Sequence, residues 1–212
     1  VKVSPGKEAR KEDSRERFII AAERLFVEHG YRETTIRAIC SEANTSLAIL
    51  NRNWPSKESL FAEMLKRHFD PLHALQNRRF GELLKQGRRP SLAEVITAFF
   101  KPAFCGIDST RNHRTSVYSR ALIDPSREVK QIVAGLIAQT RSQLIELVSG
   151  ALPEFDRQRL FVAMNLVFGA YVYPQAFGHQ LAAAMQIDDS VFDWEAGADT
   201  IVALLCDGLA GG

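Results

Sequence analysis

TTIRAICSEANTSLAILNRNW, residues Thr34 to Trp54, is the stretch that decides the fold. Thr35 can cap a helix N-terminus through its hydroxyl. Ile36, Ile39, Cys40 and Ala43 then recur at three- and four-residue steps, one face of a short helix over about 35–42. Asn44-Thr45 follows as a turn, and asparagine tolerates the left-handed backbone that tight turns need. Ser46 can cap a second short helix ending near Arg52. Pro55 stops it, because the residue before a proline avoids the helical region. The pattern turns Ile36, Ile39, Cys40, Ala43, Leu50 and Trp54 inward. It turns Leu47, Ala48, Asn51 and Arg52 outward.

Upstream, Phe18, Ile19, Ala22, Leu25 and Phe26 form one stripe of a longer helix over about 13–29, and Gly30 is its stop. A supporting helix followed by two short ones across a tight turn is the helix-turn-helix layout. In that layout the second short helix enters the major groove of DNA while the first crosses the backbone. The outward residues suit the task. Asparagine pairs with adenine in two bonds and arginine with guanine, and Leu47 and Ala48 can meet a thymine methyl. Thr35, Ser46 and Ser56 stand at expected helix starts, where free N–H groups favour phosphate, and Lys57 adds a cation there.

Downstream, Ser56 starts a fourth helix carrying Leu60, Phe61, Met64, Leu65 and Phe69. Pro71 interrupts it, but the apolar spacing resumes through Leu72, Leu75 and Leu83-Leu84, which predicts one long kinked helix. Further helices are expected near 91–104, 111–122, 126–149, 154–178 and 190–207. Pro174 and Gly178 leave 173–188 open. The expected fold is all-α: an N-terminal three-helix helix-turn-helix domain followed by a C-terminal helical bundle, about nine helices in total. The boundaries read as a flexible arm at 1–12, a DNA-binding domain at 13–57 with its motif at 35–54, and a C-terminal domain at 58–212.

Composition narrows the class. The chain has 212 residues, 46% hydrophobic and 25% charged, an ordinary globular profile. Net charge is +2, and all of the excess falls in residues 1–60, which hold eleven Lys/Arg against nine Asp/Glu. Cys40, Cys105 and Cys206 have no metal-binding or disulfide spacing, so no metal site is expected, and scattered thiols fit a reducing cytoplasm. Val1–Arg17 lacks the apolar core of a secretory signal. No run reads as long and apolar enough to span a bilayer, so no membrane partner is expected. No GxSxG, HExxH, P-loop or dinucleotide fingerprint is present, so neither catalytic residues nor a cofactor are expected.

Residues 15–61 resemble the DNA-binding domain of the TetR/AcrR family. The resemblance rests on Arg15, Ile20-Ala21-Ala22-Glu23-Arg24-Leu25-Phe26, Glu28-His29-Gly30-Tyr31, Thr34-Thr35-Ile36-Arg37, Ile39, Ala43, Ser46, Ser56-Lys57-Glu58 and Leu60-Phe61. It implies a transcriptional regulator, usually a repressor, in which Thr35, Asn51 and Lys57 meet phosphates and Leu47–Asn53 reads the groove. The implied DNA-facing set is Thr35, Arg37, Ser46, Leu47, Ala48, Asn51, Arg52, Asn53 and Lys57. Asn44 and Ala48 stand where the family usually has glycine, and Asn53-Trp54 where it usually has His-Phe. The reading surface is therefore this chain's own.

The same resemblance implies a homodimer docked through the last two long helices, with Met164, Phe168, Ile201 and Leu205 at the interface. Two-fold symmetry would set half-sites of a palindromic double-stranded operator ~34 Å apart, or a multiple of that. It implies a small-molecule effector pocket in the C-terminal bundle, with Phe99, Phe104, Tyr118, Phe161, Phe168 and Tyr171 as candidate walls. Two other classes fit the composition: an all-α enzyme using that cavity, and a lipid- or small-molecule-binding bundle whose head no longer binds DNA. Turnover of a bound ligand would favour the first. Absence of salt-sensitive DNA affinity would favour the second.

Overall fold

The computed structural model describes residues 7–104, 111–188 and 193–210. Among them there are ten helices and no strand. The all-α expectation holds, with one more helix than anticipated. The helices are α1 (Lys7–Glu33), α2 (Ile36–Glu42), α3 (Leu47–Asn53), α4 (Lys57–Leu84), α5 (Leu92–Phe104), α6 (Arg111–Ile123), α7 (Arg127–Leu136), α8 (Ala138–Ala151), α9 (Arg157–Ala184) and α10 (Trp194–Ala210). The extra helix comes from the 126–149 segment, which breaks at Ile137, just after Gly135, a poor helix former. α1 starts at Lys7, so part of the expected arm is helical, and residues 1–6 lie outside the described residues. α4 runs unbroken through Pro71, and α9 runs through Pro174 to Ala184, which settles the open 173–188 stretch as mostly helix.

The chain forms two compact units. The first runs to His68 and takes in Ser116–Gly135; the second holds Phe69–Thr115 and Leu136 onward. The first unit buries Phe18, Ile19, Phe26, Ile39, Leu50, Trp54, Phe61 and Met64, together with Val117, Ala121 and Val129. The edge-to-face rings of Phe26 and Tyr31 on Phe61 (5.5 and 4.8 Å between centroids) join α1 to α4.

In the second unit α5 packs against α8 and α10. A Ser91–Glu94 capping box starts α5: Ser91 N–H donates to Glu94 Oε2 (2.8 Å) and Glu94 N–H to Ser91 Oγ (3.3 Å). Its apolar face puts Phe99, Phe100 and Phe104 against Tyr171 of α9, with the Phe99 and Tyr171 rings stacked at 4.3 Å. Gln76 of α4 is fully buried beside them and donates to the Phe99 carbonyl (2.7 Å) and the Tyr171 hydroxyl (3.3 Å).

His73, one turn before Gln76, is buried and stacks on Phe69 at 5.8 Å. Burial pushes its pKa from 6.5 down to about 4, against the opposing effects of Gln76 and Asp70. The unfolded chain therefore takes up a proton near pH 6.5 that the folded chain refuses until about pH 4. Stability is fully present above that window and is lost as pH falls through it, by roughly 3 kcal/mol in all. Urea unfolding between pH 7 and 4 should show this slope, and His73→Leu should flatten it. An equally steep slope in the variant would place the acid sensitivity elsewhere.

Candidate nucleic-acid interface

The motif closes as its sequence predicts. Thr35 caps α2, its hydroxyl accepting the Ala38 N–H (3.1 Å), and Ser46 caps α3, accepting the Ile49 N–H (3.4 Å). Asn44 adopts φ 48°, the left-handed value that the turn between the two helices requires. Ile39, Cys40, Ala43, Leu50 and Trp54 are buried, while Ile36 is half-buried. Leu47, Ala48, Asn51 and Arg52 are exposed along one side of α3, and Arg37 is exposed on α2.

Asn53 departs from the expected reading set. Its amide nitrogen donates to the Ile49 carbonyl one turn back (3.0 Å), and its Oδ1 is buried without a hydrogen-bond partner. The Asn53 side chain is thus folded onto its own helix. Lys57 is also engaged at home. Its ammonium donates to the Tyr31 carbonyl (2.6 Å) and stands 4.0 Å over the Tyr31 ring. Burial lowers its pKa below the usual lysine range, while Glu58, Glu128 and Asp124 work against the shift. The Tyr31 hydroxyl donates to Glu58 (3.1 Å), and burial and that carboxylate raise the phenol's pKa.

Trp54 fixes the far end of α3. Its ring meets Phe18 edge-on at 5.8 Å, and its indole N–H donates to Glu63 of α4 (2.8 Å). Arg15 of α1 grips both oxygens of Glu63 (2.7 and 2.6 Å) and lies 4.8 Å over the Trp54 ring. Burial alone would raise the Glu63 carboxyl, but the bonds from Trp54 and Arg15 outweigh it and hold the group below the usual range. Arg24–Glu42 (2.5 Å) ties α1 to α2, and Arg67–Glu16 (2.6 Å) ties α4 to α1.

The corner between α1 and α2 is held from a distant part of the chain. Gly30 has φ 77° and ψ 176°, and the next N–H, that of Tyr31, donates to Asp124 Oδ2 (3.2 Å). The other oxygen of Asp124 accepts the Ser126 N–H (2.9 Å) and hydroxyl just before α7. Burial alone would raise the Asp124 carboxyl; the Ser126 and Tyr31 bonds and the Arg120 charge outweigh it and lower it. Sequence reasoning had no access to this link, because 93 residues separate its ends.

The C-terminal candidates redistribute. Phe99, Phe104 and Tyr171 are close-packed core, Phe168 is half-buried against Phe99, and Tyr118 is buried in the other unit. Phe161 is 70% exposed. The aromatic residues named as candidate walls, Phe99, Phe104 and Tyr171, pack on one another. A cleft of about 500 Å³ opens between α9 and α10, lined by Pro174, Gly178, Leu181, Met185, Trp194 and Ile201 among others. Gly178 shapes it, since a Cβ there would come within 3.1 Å of the Trp194 ring. Of the interface candidates, Met164 is buried and Phe168, Ile201 and Leu205 are half-buried. Among the described residues, the large apolar side chains exposed on α9 and α10 are Phe161, Val162, Leu166, Tyr173, Phe177, Leu181 and Leu204. By length and composition alone α9 could cross a membrane, with a mean hydropathy of 1.4 over its most apolar window, contrary to the sequence expectation.

Residues 18–64 match the family model described as bacterial regulatory proteins, tetR family. Residues 97–208, half of the chain, match the tetracyclin repressor-like C-terminal domain. The HTH-type transcriptional regulator YvkB of Bacillus subtilis is 35% identical over 69 residues, 32% of this chain and 36% of that protein, so the match spans about a third of the relative. A TetR-like transcriptional regulator from Rhodococcus sp. RHA1 superposes with TM-score 0.56 at 24% identity, over 99% of this chain and all of that one. A TetR-family regulator from Bordetella parapertussis gives 0.63 at 21%, over 93% and 96%. FadR of Bacillus subtilis, in complex with stearoyl-CoA, gives 0.62 at 16%, over 91% and 98%. At these identities the structural likeness is one of fold.

Proposed function

Because the chain belongs to the TetR family of bacterial transcriptional regulators, we propose that it is a ligand-responsive repressor reading a palindromic operator as a homodimer. The observation that carries this reading is the exposed row Leu47, Ala48, Asn51 and Arg52 on α3, opposite a face pinned by Leu50 and Trp54. A helix held on one side and bare on the other is suited to groove insertion. Asn51 and Arg52 offer base-edge hydrogen bonds, and Leu47 and Ala48 offer apolar contact. Arg37, Thr35 and Ser46 flank this row and position the DNA backbone.

The exposed Phe161, Val162 and Leu166 of α9 and Leu204 of α10 supply the surface for a second copy. Apolar side chains this exposed on two long helices call for cover. The effector is an apolar small molecule seated in the cleft between α9 and α10. Its size falls in the range of ligand pockets, and the residues named around it are apolar. Induction requires that the effector prefer the conformer with mis-spaced reading helices. The protein acts in the cytoplasm and catalyses no reaction.

The test is selection of bound sequences from a random duplex pool at fixed salt. A palindromic site should emerge. Asn51→Ala and Arg52→Ala should each relax one base position in both half-sites, at a cost of about 1–3 kcal/mol per lost bidentate pair. Recovery of nothing above background, in salt where a phosphate-binding protein holds DNA, would overturn the reading and leave a ligand-binding helical bundle.

A further inference from the structure

We propose that Asp124 is a positioning residue for DNA reading: its carboxylate couples the α6–α7 corner to the α1–α2 corner from which the helix-turn-helix hangs. The inference rests on the DNA-binding reading above and concerns how that site is held.

The Gly30–Tyr31 stretch is gripped at three points. Asp124 takes the Tyr31 N–H at 3.2 Å, Lys57 at the start of α4 takes the Tyr31 carbonyl at 2.6 Å, and the Thr34 hydroxyl takes the Gly30 carbonyl at 2.7 Å. Thr34 leads directly into Thr35, the cap of α2, so the direction in which α2 leaves is set here. The Asp124 grip is itself fixed. The carboxylate is 2% exposed, its second oxygen is occupied by Ser126, and Ser126 is fully buried. The Arg120 guanidinium lies close against Gly30, in space that only a residue without a Cβ leaves open. A buried carboxylate with fixed partners on two elements transmits displacement, because separating it from either partner strands charge in a dry site.

Chain connectivity gives the corner something to report. α6 begins at Arg111, in the other unit, and ends at Ile123, immediately before Asp124. Displacement or rotation of that helix along its axis arrives first at Asp124. The long helix α4 reaches the same corner through its first residue, Lys57. The hydrogen bonds supply a second route that meets α4 at one residue, Tyr31, whose N–H answers to α6–α7 and whose carbonyl answers to α4.

A capping role alone would make Asp124 important for stability and indifferent to DNA, and two variants separate these cases. Asp124→Asn keeps the volume but loses the charge and places an amide where Tyr31 needs an acceptor. Ser126→Ala weakens the start of α7 and leaves the Tyr31 bond in place. The full-length proteins are compared on the wild-type selected operator and on copies with one base pair added or removed between half-sites. Amide exchange across residues 30–43 is followed in parallel, all at a temperature where each protein is folded.

Asp124→Asn should weaken operator binding by at least about tenfold, the equivalent of one charge-assisted hydrogen bond, and should blur the spacer preference while leaving the half-site bases unchanged. Exchange at Tyr31 and into α2 should quicken. Ser126→Ala should do neither. Should Asp124→Asn not fold, Arg120→Gln takes its place, with the same direction expected. Operator affinity within twofold of wild type, with the spacer preference and exchange intact, overturns the positioning role. If the wild type selects no DNA at all, the regulator reading fails separately. Amide exchange then decides the mechanical claim: protection at Tyr31 unchanged in the variant rejects it, and faster exchange upholds it.

Discussion

Trp54→Ala is expected to cost about 3–5 kcal/mol, the penalty for emptying a fully buried large aromatic site, and to remove DNA binding with it. The ring is 2% exposed and closes the bottom of the three-helix unit against Phe18. Its loss also strips Glu63 of the indole N–H and Arg15 of the ring face it covers. Native domains hold only about 5–15 kcal/mol in reserve, so the variant should sit at the edge of folding. Trp54→Phe tests the reasoning more finely. It keeps most of the packing and loses one hydrogen bond to a charged group, worth about 1.5–3 kcal/mol. The order wild type, Phe, Ala in thermal and urea unfolding is the expected outcome. An alanine variant within about 1 kcal/mol of wild type would mean the head is not plugged by this ring.

That Trp54 could be assigned to the core from sequence, even where the family usually has phenylalanine, shows which information is local. Caps, helix period and the left-handed Asn44 act over three or four residues, and all of them were legible. Asn53 entered the DNA-facing set through the resemblance alone, and periodicity does not reveal that its short amide folds back onto a carbonyl of the preceding turn. Lys57 was read as a free cation at a helix start, because nothing in the order of residues places it over Tyr31, 26 positions earlier. Asp124 lies between the helices expected near 111–122 and 126–149. Its partnership with Tyr31 exists only in three dimensions.

The C-terminal half was harder for a different reason. A helix rich in phenylalanine satisfies a core and a cavity wall equally well, since both are apolar surroundings. One thing that shapes the cleft between α9 and α10 is a missing side chain, at Gly178 beside the Trp194 ring, on a helix that tolerates Pro174. Missing side chains leave no periodic trace. Phe161 and Met164 show the same limit: three residues apart on α9, they fall at 70% and 7% exposure. Their spacing marks a helix with apolar residues on several sides and leaves open which side the chain itself covers.

Gly30→Ala should destabilise the protein by roughly 2–4 kcal/mol, through two costs that can be separated. The first is backbone. At φ 77° and ψ 176° the residue sits in a region essentially reserved for glycine, where a side chain costs about 1–3 kcal/mol. The second is collision. The new methyl would lie 2.3 Å from an Arg120 Nη and 3.2 Å from Asp124 Oδ2. Arginine is long and can withdraw, but withdrawal moves its charge away from the buried Asp124 carboxylate, which then holds the Tyr31 N–H with less support. A double-mutant cycle with Arg120→Ala divides the two costs, because neighbouring residues that share a site do not add. In the Arg120→Ala background the penalty for Gly30→Ala should shrink to its backbone part. A penalty of the same size in both backgrounds would show that strain alone fixes Gly30, and that Arg120 has room to stand aside without loosening the corner. Should the penalty shrink, the space vacated by one missing Cβ is what lets the α6–α7 corner reach the reading head.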